Sequence, residues 1–222
     1  MAAIHADMPS VKSVEIVRGG RQRVLARYPF LAADVYDYAT VVLGGFFLRR
    51  ASLLSCFLEL ALQCYPQEVC ANIFLGGEYC AKQDKVLTDL KLTHIVNATS
   101  ECRHHFPARA AYFRVPVLDA DLAPIADHFD AALAFMAAGL QSGGRVLVHC
   151  AQGRSRSVTI LLAYLLRFGA AGADGGGLTR FADVDAALAF VQRARPYAQP
   201  NDGFLRQLRL AFAPDEPEPE LC

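Results

Sequence analysis

Hydrophobic and polar positions in the second half of the chain follow regular patterns. The short apolar run Val146 to Val148 predicts a buried strand, and residues Val158 to Phe168, apolar almost all round, predict a central, buried helix. Apolar residues spaced three and four apart predict an amphipathic helix from Ile125 to Leu140. Another is predicted from Asp183 to Arg195, where Pro196 stops it.

Shorter elements precede these. The pattern predicts a helix near Gln83 to Leu90 and strands at His94 to Val96 and near Tyr112 to Val115. Residues Gly169 to Gly177, rich in glycine, predict a flexible loop. Strands that alternate with helices are typical of an α/β domain with a central, mainly parallel sheet flanked by helices. In such domains the functional groups lie at the carboxyl ends of the strands.

The candidate chemistry lies between the predicted strand and the central helix, where His149 to Ser157 reads H-C-A-Q-G-R-S-R-S. A loop at this junction can turn its backbone N–H groups around one oxyanion at the positive end of the helix. Cys150 would lie at the bottom of that loop as a thiolate nucleophile. Arg156 would hold two phosphate oxygens with its planar fork. The alternative is an inert buried cysteine, which the strand–loop–helix setting disfavours.

These residues match a known signature. His149, Cys150, Arg156 and Ser157 fit His-Cys-x5-Arg-Ser, and the chain resembles the dual-specificity protein phosphatases of the cysteine-dependent protein tyrosine phosphatase superfamily. The resemblance covers about residues 66–212. It implies a cysteine-dependent phosphatase fold and hydrolysis of phosphotyrosine and phosphoserine or phosphothreonine through a phosphocysteine intermediate. Four further segments are similar to the family: I-F-L-G-G (Ile73 to Gly77), L-K-L-T-H-I-V-N-A-T (Leu90 to Thr99), A-Y-L-L (Ala163 to Leu166) and R-P-Y-A-Q-P-N-D-G-F-L-R-Q-L (Arg195 to Leu208).

The resemblance also implies a general acid on a loop before the nucleophile. The segment V-P-V-L-D falls where that loop belongs, and Asp119 is the matching position. An acid is needed because the seryl, threonyl or tyrosyl oxygen leaves as an anion unless it receives a proton. Asp121, two residues further on, is the alternative. Ser157 is expected to donate a hydrogen bond to the sulfur of Cys150, although a hydroxyl there also suits a helix N-cap.

Other residues are expected to bind phosphate or to support the site. His149 is expected to support the loop by hydrogen bonding rather than to act as a base. Asn201 and Asp202 are expected to cap the last helix, and Asn201 is also expected to support the loop of residues 151–156, called the phosphate loop below. Asn97 is expected to stabilise a loop after its strand. The predicted phosphate-binding residues are Ala151, Gln152, Gly153, Arg154, Ser155 and Arg156.

Two other functions remain open. The loop A-Q-G-R-S-R-S resembles that of lipid phosphatases acting on phosphatidylglycerophosphate or phosphoinositides, in which Arg154 would face an anionic headgroup. Those enzymes usually carry a lysine where this chain has Ala151, and P-N-D-G-F favours the protein phosphatases. A non-catalytic phosphoprotein-binding pseudophosphatase is disfavoured because the chain keeps Cys150, Arg156 and Asp119.

Composition narrows the class of partner. Lysine plus arginine (22) equals aspartate plus glutamate (22), so no bulk charge points to nucleic acid. The seven cysteines, with no recognisable signal peptide, predict a reducing compartment, cytoplasmic and/or nuclear. No Cys-x-x-Cys pair occurs, so neither a metal nor a cofactor is expected. The nearby Cys102, His104 and His105 are interpreted as a polar surface.

Residues 1–65 are predicted to form an N-terminal extension. Its segment Val11 to Leu31 resembles the last strand and helix of the rhodanese-like module that precedes the catalytic domain in MAP kinase phosphatases, and is too short to form that module. Thr40 to Tyr65 is apolar but interrupted by Arg49 and Arg50, which favours an amphipathic helix over membrane contact. Residues 213–222 are acidic and proline-rich, and predict a disordered tail.

Two short motifs suggest regulation and partners. In L-R-R-A-S-L-L, Ser52 follows two arginines, as basophilic kinases require, and the arginines with Leu53 could dock on a MAP kinase. The family resemblance implies phosphoprotein substrates and a role in signalling, and the docking motif adds MAP kinases as candidate partners.

Overall fold

The computed structural model describes residues 65–171 and 177–213. The predictions for the N-terminal extension, including the rhodanese-like segment, the amphipathic helix and Ser52, lie outside the described residues. So does the predicted acidic tail beyond residue 213. Within the described ranges, no helix combines the length and the apolar character needed to cross a membrane.

A five-stranded sheet forms the centre of the described part. Its spatial order is β1-β2-β5-β3-β4. The β1–β2 pair is antiparallel and the other three pairs are parallel, so the predicted mainly parallel sheet is confirmed. The strands are β1 (Gln67–Cys70), β2 (Ile73–Gly77), β3 (His94–Asn97), β4 (Ala111–Arg114) and β5 (Val146–Cys150).

Helices cover both faces of this sheet, as predicted for the α/β class. The larger hydrophobic cluster joins one face to α3, α4, α5 and α6, and the smaller cluster joins the other face to α1 and α2. A 3-10 turn (Ala126–His128) leads into α3. The helices are α1 (Glu78–Ala81), α2 (Asp84–Asp89), α3 (Phe129–Gln141), α4 (Arg156–Phe168), α5 (Val184–Ala194) and α6 (Asp202–Ala211).

The central strand β5 positions the candidate site. All five of its residues are buried, and successive side chains alternate between the two hydrophobic clusters, as the pleat of a strand requires. Its parallel neighbours end at the same level: Gly77 pairs with Cys150, and Asn97 pairs with His149. The chain segments that follow β2, β3 and β5 therefore emerge at one edge of the sheet.

Helix α4 confirms the predicted buried helix, with one difference at its start. Its residues Val158 to Ala163 are all buried. The helix begins at Arg156, two residues before the apolar pattern starts. Since Arg156 and Ser157 are polar, hydrophobic spacing could not place them in the first turn of the helix.

The prediction of a flexible loop from Gly169 to Gly177 is partly wrong. Two short strands, β6 (Ala170–Ala171) and β7 (Leu178–Thr179), pair antiparallel, and the Ala71 N–H donates to the Ala171 carbonyl at 3.1 Å. Backbone pairing holds these residues, and a two-residue strand is too short to leave a hydrophobic pattern. Residues 172–176 lie outside the described part.

Candidate active site

Cys150 lies at the end of β5, where the chain turns into α4. The residue is 1% exposed. Its Sγ accepts hydrogen bonds from the Gly153 N–H at 3.1 Å and from Ser157 Oγ at 3.2 Å. The contact expected between Ser157 and the sulfur is therefore present, and Ser155 rather than Ser157 occupies the N-cap position of α4. These two hydrogen bonds hold the sulfur in place beside the loop.

The backbone carbonyls of residues 151–154 are all bonded outside the loop. Their donors, in that order, are the Glu78 N–H, Arg195 Nη2, Arg195 Nε and the Gln199 N–H, at 3.0, 2.8, 2.6 and 2.8 Å. In a planar trans peptide the N–H points opposite to the carbonyl that precedes it. The N–H groups of residues 152–155 therefore turn to the inner side of the loop. The Gly153 N–H, bonded to Cys150 Sγ, is one of them. With the N-terminus of α4, these groups make the inner side an anion-binding surface.

Gly153 must be glycine for the loop to adopt this path. Its φ is +68°, in the left-handed region. A Cβ at this position would lie 2.4 Å from the carbonyl of Gly76 in β2. The glycine between Cys150 and Arg156 thus allows the loop to pack directly against the neighbouring strand.

Of the two candidate acids, Asp119 is the one that contacts the phosphate loop. Its Oδ1 accepts hydrogen bonds from Ser155 Oγ at 2.6 Å and from Asn201 Nδ2 at 2.9 Å. Its Oδ2 lies 3.7 Å from Arg156 Nε. Asp121 instead has its Oδ2 3.8 Å from Arg206, on the outer side of α6.

Asn201 joins α6 to this network. Its Oδ1 accepts from the Phe204 N–H at 2.8 Å, so it caps α6 as the sequence predicts. Its own N–H donates to Ser155 Oγ at 3.2 Å. Asn201 therefore contacts the phosphate loop and Asp119 at once.

Arg156 is buried and held by groups from two other loops. It is 6% exposed, and its Nη1 donates to Glu101 Oε2 at 3.0 Å and to the Val117 carbonyl at 3.2 Å. Glu101 Oε1 lies 2.7 Å from the same nitrogen. Burial is the largest single effect on the pKa of Glu101 and raises it. The hydrogen bond and charge of Arg156, with hydrogen bonds from the backbone and from Ser100, together outweigh burial and lower this pKa.

His149 and Arg154 make side-chain contacts of their own. His149 is fully buried, and its Nδ1 lies 3.4 Å from the Cys150 carbonyl. The hydrogen bonding by which His149 was expected to support the loop therefore consists of one long contact. Burial lowers the pKa of His149 to about 4, which keeps the imidazole neutral at neutral pH. Arg154 Nη2 donates to Gln199 Oε1, which ties this side chain to the segment before α6.

The family model of the dual specificity phosphatase catalytic domain matches residues 73–213. The chain belongs to the dual specificity phosphatase family. This confirms the resemblance and the fold class inferred from the sequence.

Individual relatives agree with this assignment. Human dual specificity protein phosphatase 1 is 36% identical over 154 residues, which cover 69% of this chain and 39% of the relative. A probable rhodanese domain-containing dual specificity protein phosphatase from Dictyostelium discoideum is 35% identical over 148 residues, 66% of this chain and 29% of the relative. The crystal structure of a mouse putative dual specificity phosphatase complexed with zinc tungstate has a TM-score of 0.59 at 31% identity, covering 68% of this chain and 89% of that one. The chain thus spans well under half the length of these two curated relatives.

The sequence analysis did not predict two residues of the candidate site. Arg195 is 1% exposed and donates hydrogen bonds to two carbonyls of the phosphate loop. Its guanidinium carbon lies 4.9 Å from the ring centroid of Tyr197. Its position before Pro196, in the segment similar to the family, was the available signal. Glu101 gave no signal, because an acidic residue in a polar loop usually faces solvent.

Proposed function

We propose that the chain is a protein phosphatase that hydrolyses phosphotyrosine and phosphoserine or phosphothreonine through a phosphocysteine intermediate. The observation that carries the proposal is the loop after β5. Four consecutive carbonyls are bonded on its outside, so its N–H groups turn inward on the side of Cys150 Sγ. A phosphate dianion fits such a surface, and the sulfur lies beside it. Membership of the dual specificity phosphatase family supports the same chemistry.

In the first step the sulfur of Cys150 attacks phosphorus in line with the leaving oxygen. An S–P bond forms and the P–O bond to the substrate side chain breaks. The N–H groups of the loop and Arg156 hold the three equatorial oxygens, where negative charge is greatest in the transition state. This arrangement is preorganised, since Arg195 and Gln199 already fix the carbonyls.

Asp119 supplies the proton that the leaving oxygen needs. Its Oδ1 already accepts two hydrogen bonds, from Ser155 and Asn201. The proton is therefore carried by Oδ2, the oxygen on the side of Arg156. Transfer to the leaving oxygen releases a neutral alcohol or phenol.

In the second step water hydrolyses the phosphocysteine. Asp119, now ionised, takes a proton from the attacking water, and the S–P bond breaks to release inorganic phosphate. Ser157 donates its hydrogen bond to Cys150 Sγ and so stabilises the departing thiolate. The two steps use only side chains of this chain, its backbone and water.

Phosphoproteins are the proposed substrates, with MAP kinases among them. The MAP kinase proposal rests on the likeness of Val11 to Leu31 to the module found in MAP kinase phosphatases. A cytoplasmic or nuclear location is also proposed. It is supported by four free cysteines in the described part, Cys70, Cys80, Cys102 and Cys150.

A direct comparison of substrates tests the proposal. Purified chain is given phosphotyrosyl and phosphothreonyl peptides, and in parallel vesicles containing phosphatidylglycerophosphate or phosphoinositides. Phosphate release from the peptides, abolished by Cys150→Ser, supports the proposal. Release from the vesicles alone would establish a lipid phosphatase. Peptide binding without any turnover would establish a pseudophosphatase.

Substrate trapping identifies the phosphoproteins. Asp119→Ala should retain binding while slowing release of the leaving group, so it should capture phosphoproteins from a lysate. Cys150→Ser serves as a second trap because it cannot form the S–P bond. If Asp121→Ala slows turnover far more than Asp119→Ala, the assignment of the general acid is wrong.

A further inference from the structure

We infer that Glu101 is a positioning residue that holds Arg156 in the orientation needed to bind phosphate. The inference rests on the proposed function, since it assumes that Arg156 binds the phosphate. Glu101 lies 55 positions before Arg156 in the sequence, in the turn after β3.

The contacts divide the guanidinium of Arg156 into two edges. Glu101 and the Val117 carbonyl both engage Nη1. Within the described residues, Nε has no hydrogen-bond partner although it is buried. A guanidinium binds an oxyanion best with two parallel N–H groups. The edge that Nε shares with Nη2 can therefore engage phosphate while Glu101 holds the opposite nitrogen.

The turn that carries Glu101 is fixed from within. Thr99 Oγ1 donates to Asn97 Oδ1 at 2.7 Å and accepts from the Cys102 N–H at 3.0 Å. Asn97 Nδ2 donates to the Cys102 carbonyl at 2.8 Å. All three residues are buried. Such a closed network restricts the backbone on both sides of Glu101.

A second set of contacts fixes the outer side of the same turn. Arg114, at the end of β4, donates from Nη1 to the Thr99 carbonyl at 2.9 Å and to the Ser100 carbonyl at 3.3 Å. Ser100 Oγ donates to Glu101 Oε2 at 3.2 Å. The backbone and the carboxylate of Glu101 are thus both held, although its side chain is 48% exposed. A glutamate on a surface turn usually has neither constraint.

A carboxylate beside Arg156 also has an unfavourable effect on anion binding. It offsets part of the positive charge that attracts phosphate. A positioning role and a purely opposing charge predict opposite results when the carboxylate is removed. With the positioning role, loss of Glu101 weakens oxyanion binding, whereas with the opposing charge, loss of Glu101 strengthens it.

The test compares Glu101→Ala with Glu101→Gln. Glutamine keeps an oxygen that can accept from Nη1, whereas alanine does not. The measurements are kcat and KM for p-nitrophenyl phosphate, and the inhibition constant of orthovanadate. Bound vanadate resembles the five-coordinate transition state of phosphoryl transfer. We expect Glu101→Ala to raise the vanadate inhibition constant and to lower kcat/KM, each on the order of tenfold, the effect of losing one hydrogen bond to a charged group. Glu101→Gln should recover most of both losses.

A matched control tests whether the loss of an ion pair outside the site has the same effect on vanadate binding. Asp130 pairs with Arg167 in α4, and its side chain is 86% exposed. Asp130→Asn removes a carboxylate from an arginine outside the site and should leave the vanadate inhibition constant and kcat/KM unchanged. Thermal melting of each variant shows that the fold is retained. If Glu101→Ala does not fold, Glu101→Gln is compared with wild type at pH 6 and pH 8, and the inference predicts near-equal vanadate binding at both.

Several results would overturn the inference. One is vanadate binding by Glu101→Ala that is as tight as, or tighter than, that of wild type, with kcat/KM unchanged. Another is a Glu101→Gln variant no better than Glu101→Ala, because the hydrogen bond would then contribute nothing. If the wild-type chain neither binds vanadate nor hydrolyses p-nitrophenyl phosphate, Arg156 is not a phosphate ligand and the proposed function fails as well.

Discussion

Asn201 Nδ2 donates a 2.9 Å hydrogen bond to Asp119 Oδ1, across 82 positions of the sequence. The same oxygen accepts from Ser155 Oγ at 2.6 Å. These two donors orient the carboxylate so that Oδ2 lies on the side of Arg156. One carboxylate oxygen thereby connects the start of α6, the phosphate loop and the loop that carries Asp119 and Asp121, called the acid loop below.

Replacing Asn201 with serine should weaken protonation of the leaving group. Serine keeps an oxygen for the helix cap but removes the amide donor to Asp119. We expect kcat for phenyl phosphate to fall about tenfold, the effect of one hydrogen bond to a charged group. The loss should be smaller with p-nitrophenyl phosphate, whose leaving group needs a proton less. Steady-state kinetics on both esters measure the difference.

The control for this variant removes a helix cap elsewhere. Asp183 caps α5 by accepting from the Ala186 N–H at 2.7 Å. Asp183→Ala should lower the free energy of unfolding by about 1 kcal/mol without changing the ratio of the two kcat values. An Asn201→Ser variant that loses the same factor on both esters would show that Asn201 does not act through the acid.

Gly203→Ala should displace the acid loop. A Cβ on Gly203 would lie 1.8 Å from the carbonyl oxygen of Asp121, so the loop must move away from α6. We expect kcat to fall by up to about 100-fold, because a displacement near 1 Å suffices for such a loss. Gly177→Ala is the control, since a Cβ there meets no atom of the described residues within 4 Å. Equal kcat values for the two variants would contradict the close packing of α6 on the acid loop.

Arg195→Met should weaken both the fold and the phosphate loop. The variant leaves the carbonyls of Gln152 and Gly153 without the donors that Arg195 provides. We expect the free energy of unfolding in urea to fall by about 2–4 kcal/mol, the cost of two buried acceptors left without partners. Vanadate affinity should fall as well, because the N–H groups of the loop lose their orientation. Arg195→Lys should recover only part of either loss, since an ammonium group cannot reproduce the planar fork. Unchanged vanadate affinity in Arg195→Met would show that Arg195 does not orient the N–H groups of the phosphate loop.

His149 should make the stability of the fold depend on pH. Burial lowers its pKa from 6.5 to about 4, so the unfolded chain binds this proton more readily than the folded one. As the pH falls from about 6.5 to 4, the free energy of unfolding should drop by about 3 kcal/mol from this residue. His149→Gln should lack this part of the drop. Urea unfolding of both proteins at pH 7.5 and pH 4.5 measures it, and an equal drop in both would contradict the burial effect.

The sequence predicted much of the fold because its core elements are apolar and periodic. The run Val146 to Val148 and the apolar helix that follows correspond to β5 and α4. It could not predict the β6–β7 pair. Each of these strands has only two residues, which is too short for a hydrophobic pattern. It also placed the start of α4 two residues late, because Arg156 and Ser157 are polar.

The site was predictable where its residues are adjacent in the sequence. Cys150, Gly153, Arg156 and Ser157 lie in one short segment, from the end of β5 to the first turn of α4, and their spacing carries the chemistry. Arg195 and Glu101 reach this loop from 42 and 55 positions away. Such contacts depend on which strand ends meet at the edge of the sheet, and local spacing does not encode that. The choice between Asp119 and Asp121 likewise depended on the path of α6.

The most direct test is to trap the covalent intermediate on Cys150. The chain is mixed with ³²P-labelled phosphotyrosyl peptide, quenched in acid within milliseconds, digested, and its labelled peptides are identified. We predict a ³²P-labelled peptide that contains Cys150, absent in Cys150→Ala, and a larger labelled fraction in Asp119→Asn when p-nitrophenyl [³²P]phosphate is the substrate. Turnover without labelled protein, or turnover that persists in Cys150→Ala, would contradict the phosphocysteine mechanism.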